Sequence, residues 1–264
     1  MATKIDVRSD WHTTVNPDVL LNIVLPRPLP YAATTAAREL PAPLARRLRL
    51  FGVGCALLVW DMLATDTRNS VILSERCADG RLAVNDLGDF AVRMMYGPVT
   101  FQQQAMNAAG WASAGFWGGR GRVQRDPEQT VVWNPAEAAR SAAKALATRA
   151  AGPAPPGGNP VAASWQDAWN TTFAEARAHQ AELVRDIFPP PGYAPVLHPD
   201  WRTSTVVALA RHMDDTGDFS AVPILADALQ DAGCDDDIML ARCRAGSGVH
   251  CRGNWVVDLV LGRE

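Results

Sequence analysis

Between Leu44 and Met62 the apolar residues Leu44, Leu48, Phe51, Cys55, Leu58, Val59 and Met62 return every three or four positions. An α-helix, with 3.6 residues per turn, brings such positions onto one side, and a stripe of this width must be buried against a neighbour. The spacing therefore predicts a core-facing helix over 44–64. Gly52 and Gly54 lie inside it and each costs about 1 kcal/mol of helix propensity relative to alanine, so close packing by a neighbour has to compensate. The apolar run from Leu48 to Leu63 contains Arg49 and Asp61 and follows Arg46 and Arg47. It is too short to span a bilayer, so it reads as a buried core helix.

The same period recurs elsewhere, with start and stop signals around it. Asn16-Pro17 reads as an N-cap with proline at the first helical position, opening a short helix through Val19, Leu20, Ile23 and Val24. Arg68–Ala78 reads as a helix closed by Gly80, and Asn85 as the cap of another carrying Leu87, Phe90, Ala91 and Met94. Asn134-Pro135 with Glu137 marks a helix start, followed by an alanine-rich run to Ala151 with little to bury. Ser164 caps a long helix striped by Trp165, Trp169, Phe173, Ala176, Leu183 and Ile187, and Pro189, Pro190 and Pro191 stop it near Phe188.

The last third is densest in such signals. Thr203 to Met213 is amphipathic, and Ser220 with Pro223 opens a helix closed by Gly233. Asp235, Asp236 and Asp237 supply negative charge where the next short helix begins, carrying Ile238 and Leu240. Asn254 caps Trp255–Leu261, ended by Gly262. That final run also fits a buried strand, but Asp258 and the flanking glycines favour a short capped helix.

The expected fold class is thus all-α: an N-terminal helical region (1–151) with a variable middle, a Pro/Gly linker (152–160), a long helix (161–188), a Pro-rich connection (189–200) and a small C-terminal helical bundle (201–264). Hydrophobic content of 48% against 20% charge is a globular composition. A net charge of −3 leaves no basic footprint for nucleic acid or for an anionic membrane. Cys55, Cys77, Cys234, Cys243 and Cys251 are odd in number and form no CxxC, which argues against a disulfide framework and for a reducing cytoplasm. The polar opening stretch lacks a signal-peptide core.

Four stretches carry a family likeness: Asp10-Trp11 with Asn16-Pro17; Leu48-Arg49-Leu50-Phe51 through Cys55 to Glu75-Arg76-Cys77-Ala78-Asp79-Gly80; Leu183-Val184-Arg185-Asp186-Ile187-Phe188; and Trp201 to the C-terminus. The last is the most specific, through Pro223–Leu229, Ala232-Gly233-Cys234, and Arg252-Gly253 followed by Trp255–Leu259. On these residues, roughly half the chain, it resembles an uncharacterised bacterial family of hypothetical proteins with no assigned activity. The resemblance implies an order of parts and no chemistry. Members tend to carry a cysteine doublet and a basic pair after the Leu48–Phe51 motif, where this chain has Ala56, Leu57 and Leu58. They tend to have histidine before the cysteine at Cys243, here Arg242, and cysteine before the final tryptophan, here Asn254.

Cys234, Cys243, His250 and Cys251 fall in one short stretch, and thiolate and imidazole are the ligands tetrahedral zinc prefers. Their spacing matches no standard knuckle, and adjacent His250 and Cys251 do not readily face one ion, so buried thiols with a loop histidine is the stronger reading. His250 beside Cys251, or His212 with Cys234, supplies the residue types of a cysteine–histidine catalytic pair without the spacing to require one. Asp235–Asp237 lacks the alternation of a calcium loop. Gly118-Gly119-Arg120-Gly121-Arg122 lacks a preceding strand and the P-loop lysine, so it reads as a turn. Trp111, Phe116 and Trp117 have no core-facing period and form either an irregular cover over the core or a binding patch.

No cofactor is predicted; zinc is the one metal these residue types admit. The leading expectation is a non-catalytic interaction or scaffolding protein, binding another protein or itself, with no nucleic-acid or membrane partner. The alternatives are an enzyme with a pocket between the helical regions and a small metal-stabilised structural module.

Overall fold

The computed structural model describes residues 7–25, 41–82, 127–152, 163–245 and 250–263. Among them the secondary structure is entirely helical. The helices are α1 (Val7–Thr13), α2 (Pro17–Val24), α3 (Ala42–Leu57), α4 (Thr65–Ala78), α5 (Pro127–Ala151), α6 (Ala163–Ile187), α7 (Ser204–Thr216), α8 (Val222–Asp231), α9 (Asp237–Arg244) and α10 (Trp255–Leu261). Short 3-10 turns occupy Trp60–Met62 and Pro199–Trp201. The helix expected to open at Asn85, with Leu87, Phe90, Ala91 and Met94, lies outside the described residues.

The chain forms two compact units that do not follow sequence order. One comprises Val15–Asp18 and Arg27–Gln180; the other comprises Met1–Thr14, Val19–Pro26 and Ala181–Glu264. In the first, α3 packs chiefly against α5 and also against α4. Leu48, Leu50, Phe51, Val53, Cys55 and Ala56 of α3 are buried, as are Gly52 and Gly54. The facing partner is an alanine surface: Ala138, Ala142 and Ala145 share a core cluster with Val53, Ala56, Val59, Leu63 and Val71. The alanine run therefore buries a face of methyl groups, Ala138, Ala139, Ala142, Ala143, Ala145 and Ala147, against the expectation of little to bury. Small side chains let the two helices approach closely, which offsets the propensity lost at the glycines.

Several boundaries differ from those the sequence suggests. The helix predicted over 44–64 stops at Leu57, because the chain turns at Leu58–Val59 and tightens into i to i+3 bonding, Met62 N–H donating to Val59 O. Pro135 does not open α5; it sits inside a helix that starts at Pro127. Proline forgoes one backbone bond there, and the buried alanine face that follows holds the helix in place. Ser164 lies within the first turn of α6 rather than capping it. Arg68 falls inside α4, which begins at Thr65.

The second unit has its own core, in which α7, α8, α9 and α10 pack together: α8 against α7 and α9, and α10 against α7. Trp255, Met213, Leu225, Leu229 and Met239 are fully buried there. Truncating such a leucine to alanine costs about 2–5 kcal/mol. Capping at Asn254 is as expected, and one acid of the 235–237 run also serves as a cap. Asn254 accepts from the Val256 and Val257 N–H groups, so the final run is a helix and not a strand, and Asp236 accepts from those of Ile238 and Met239. Thr203 caps α7 through Val206 N–H. Ser220 does not cap α8: the cap position is Ala221, without a side-chain bond, and Pro223 occupies the first turn. Gly217 ends α7 at φ 73°, a left-handed position suited to glycine.

The first helix belongs to this unit. Trp11 is buried, and Arg185 of α6 donates from Nε to Trp11 O (2.8 Å) and from Nη2 to Thr14 O (2.6 Å). A guanidinium thus takes carbonyls that the end of α1 leaves unbonded.

Candidate functional site

The last turn of α6 presents Asp186 to the interior, where it has no solvent exposure. Such a carboxylate persists only if its oxygens are bonded and its charge balanced. Oδ1 accepts from Asn254 Nδ2 at 2.6 Å and lies 2.7 Å from His250 Nδ1. Oδ2 accepts from the backbone N–H of Cys251 at 3.0 Å. Arg242 Nε stands 3.6 Å from Oδ1, an ion pair rather than a hydrogen bond. An ionised carboxylate only accepts, so the proton facing it belongs to His250 Nδ1.

A second ring of charge supports the first. Arg242 Nη1 donates to Glu182 Oε2 at 3.3 Å, and Arg185 Nη1 donates to Glu182 Oε1 at 2.7 Å. Glu182 lies one helical turn before Asp186, so α6 offers two carboxylates on one face to two guanidiniums. The approach of Asn254 and Cys251 is set by the cap of α10: the same Asn254 side chain that accepts from the helix start through Oδ1 donates to Asp186 through Nδ2.

Asp214 forms a separate buried node at the end of α7. Arg263 grips it with both ends of its fork, Nη1 to Oδ1 and Nη2 to Oδ2, each 2.6 Å. Arg252 Nη1 adds a bond to Oδ1 at 2.7 Å, and its Nη2 donates to the Asp214 carbonyl. Arg202 Nε donates to Val260 O at 3.0 Å. The guanidiniums before and after α10 therefore fix that helix against α7.

The residues singled out from the sequence fare differently. Cys234 and Cys243 lie in the apolar core with Met239 and Trp255. Burial, then the nearby Asp186 charge, pushes the Cys243 thiol up to about 12; Arg242 acts in the opposite sense. Cys234 is pushed up as well, first by burial. His250 and Cys251 both meet Asp186, but through a ring nitrogen and a backbone N–H. Among the described residues, no three of His, Cys, Asp and Glu are gathered as a metal ion would need. His212 is exposed on α7, beside Ser204, Thr205, Ala208 and Leu209 along a shallow open hollow. Asp236 caps α9 and also accepts from the Tyr193 hydroxyl through Oδ2. Trp111, Phe116, Trp117 and the Gly118–Arg122 turn lie outside the described residues.

Asp186 itself was not legible as a site residue, since an acid near a helix end normally reads as solvated. Arg242 and Asn254, both distant from Asp186 in sequence, converge on it. No family model, curated protein or solved structure matches the chain. Among the described residues, no helix is long and apolar enough to cross a membrane.

Proposed function

We propose that this is a non-catalytic interaction or scaffolding protein, working in the cytoplasm and binding another protein or a second copy of itself. The observation that carries this reading is the inverted placement of side chains in the C-terminal unit. Its acids Asp186 and Asp214 are inside and bonded to arginine, histidine and asparagine, while Val196, Ile224 and Ile238 stand 72%, 58% and 43% exposed. Buried acids so engaged serve shape, and large aliphatics on the outside of a packed helical unit are what a partner covers. Trp111, Phe116 and Trp117 extend the reading as aromatic anchors of the kind that dominate interfaces. All five cysteines stand outside any disulfide, which is compatible with a reducing compartment.

The test is a capture experiment with purified tagged protein and a sedimentation measurement for self-association. Replacing Trp111, Phe116 and Trp117 together by alanine is expected to abolish association while helical circular dichroism and the melting temperature stay unchanged. A companion variant, Ile224→Ser with Ile238→Ser, is expected to weaken it. Association unaltered in both sets would overturn the reading.

A further inference from the structure

Between α6 and α7 the chain has no regular secondary structure over 193–198, and its burial there alternates. Tyr193, Pro195 and Leu197 are half-buried, whereas Ala194, Val196 and His198 are exposed. Tyr193 and Leu197 pack against the core of the C-terminal unit. The Tyr193 ring meets Trp255 in a T-shaped contact, 5.7 Å between centroids, and its hydroxyl donates to Asp236. A burial period of two is that of a β-strand with one face covered.

The backbone of this strand is unspent. Among the described residues, nothing in the chain bonds the N–H groups of Ala194, Val196, Leu197 and His198, or the carbonyls of Ala194, Pro195, Val196 and Leu197. Such groups are satisfied by water or by another strand. Pro195 decides which edge of the strand is able to pair. Successive residues of a strand direct N–H and C=O to opposite edges, so the missing N–H of Pro195 falls on the edge of Tyr193 and Leu197. The edge of Ala194, Val196 and His198 keeps every donor. It is also held at both ends, by Tyr193 and by His198, whose carbonyl accepts from Trp201 N–H at 3.0 Å. A strand fixed in advance loses little freedom on pairing.

We infer that the edge of Ala194, Val196 and His198 is a docking surface for a second copy of this chain, paired antiparallel with the same edge about a two-fold axis at Val196. Every residue on that edge carries a donor and an acceptor, so the edge complements itself. Val196 exchanges both backbone bonds with Val196 of the partner subunit, and Ala194 does so with His198 of the partner subunit. No Asp, Glu, Lys or Arg occurs in 190–199. The edge thus has no charge with which to select a charged foreign peptide, and no like charges meet across the axis. A second copy opposes valine to valine, a favourable β-branched cross-strand pair. This inference rests on the interaction reading and deepens it, naming the partner and the contact.

The experiment is sedimentation equilibrium of the full chain over a concentration series, with residue-resolved amide hydrogen exchange on the same samples. A dimer is expected. The amides of Ala194, Val196 and His198 should gain protection as concentration rises, while that of Leu197, on the other edge, stays fast. Val196→Pro removes a donor that nothing within the chain uses, so circular dichroism and melting temperature should be unchanged while the dimer dissociation constant rises about tenfold or more. Val196→Lys sets like charges opposite each other and is expected to weaken the dimer in a way that added salt partly reverses. A monomer at every concentration would overturn the proposal, and capture of a different protein by that monomer would still uphold the interaction reading. A dimer of unchanged strength in Val196→Pro would overturn it too, by placing self-association on other surfaces. Protection of these amides only in a complex with a different protein would put a foreign strand on the edge and exclude self-pairing. Absence of both self-association and capture would remove the interaction reading itself.

Discussion

Asp186 Oδ1 and His250 Nδ1 are 64 positions apart in the chain and 2.7 Å apart in the fold. The carboxylate is the hub of this contact and also of those from Asn254, Cys251 and Arg242. Removing one member of a buried charge network leaves the others uncompensated, which costs about 3–5 kcal/mol. Asp186→Asn is therefore expected to lower the urea midpoint by that equivalent with an unchanged slope. A loss below about 1 kcal/mol, the scale of an exposed pair, would show that Asp186 is not the hub.

Asn254 has two tasks that substitution can separate. Alanine removes the cap of α10, about 0.5–2 kcal/mol, and also strips a hydrogen bond from a charged acceptor, about 1.5–3 kcal/mol. Aspartate keeps the cap but sets a second carboxylate where Asn254 Nδ2 now stands, 2.6 Å from Asp186 Oδ1. At neutral pH Asn254→Asp is expected to be the less stable of the two by thermal melting. Combined with Asp186→Asn, Asn254→Ala should cost less than the sum of the single changes, because both act on one bond.

Gly217 offers a test of backbone alone. Its φ is 73°, and a methyl group added there meets nothing within 4 Å. Gly217→Ala should thus cost about 1 kcal/mol from the left-handed conformation, with no packing penalty. Gly217→Asn should cost less, since asparagine tolerates that region better. Equal losses in the two variants would show that conformation is not the cause.

The helical architecture was legible because its signals are local. Asn254, Gly233 and Gly262 act within a turn or two of themselves, and the apolar period of α3 needs no partner to be seen. What the sequence hid was pairing. Nothing local distinguishes Asp186, whose burial depends on Arg242 and on the 250–254 segment, from a solvated acid at a helix end. The alanines of α5 were underrated for the same reason: a methyl face is informative only beside the helix that covers it. Pro135 misled because a helix start and an interior proline share the same local sequence, and only the preceding turn tells them apart.

The thiols set a pH dependence. Burial raises Cys55 above the usual thiol range and Cys243 to about 12. In the unfolded chain a thiol ionises near pH 8.5. A folded value above the unfolded one means stability is full below about pH 8.5 and falls as pH rises toward the folded value, by about 1.4 kcal/mol per pH unit for each thiol. Stability measured from pH 8 to pH 11 is expected to decline, and Cys243→Ala should make the decline shallower. An unchanged slope in that variant would exclude Cys243 as a contributor.

The same burial bears on zinc. Cys234 and Cys243 lie in the apolar core, and among the described residues no three of His, Cys, Asp and Glu stand together as ligands would. Metal analysis of protein purified without chelators is expected to give a zinc-to-protein ratio near zero. A ratio near one would restore Cys234, Cys243, His250 and Cys251 as ligands.

The grip of Arg185 on Trp11 has a consequence in time. The guanidinium that closes the end of α1 lies 174 residues further along the chain. At about 5–20 residues per second of synthesis, the first helix emerges roughly ten to thirty-five seconds before its clasp exists. Throughout that interval the carbonyls of Trp11 and Thr14 lack the guanidinium that bonds both of them, so α1 gains this clasp only once the end of α6 has been made.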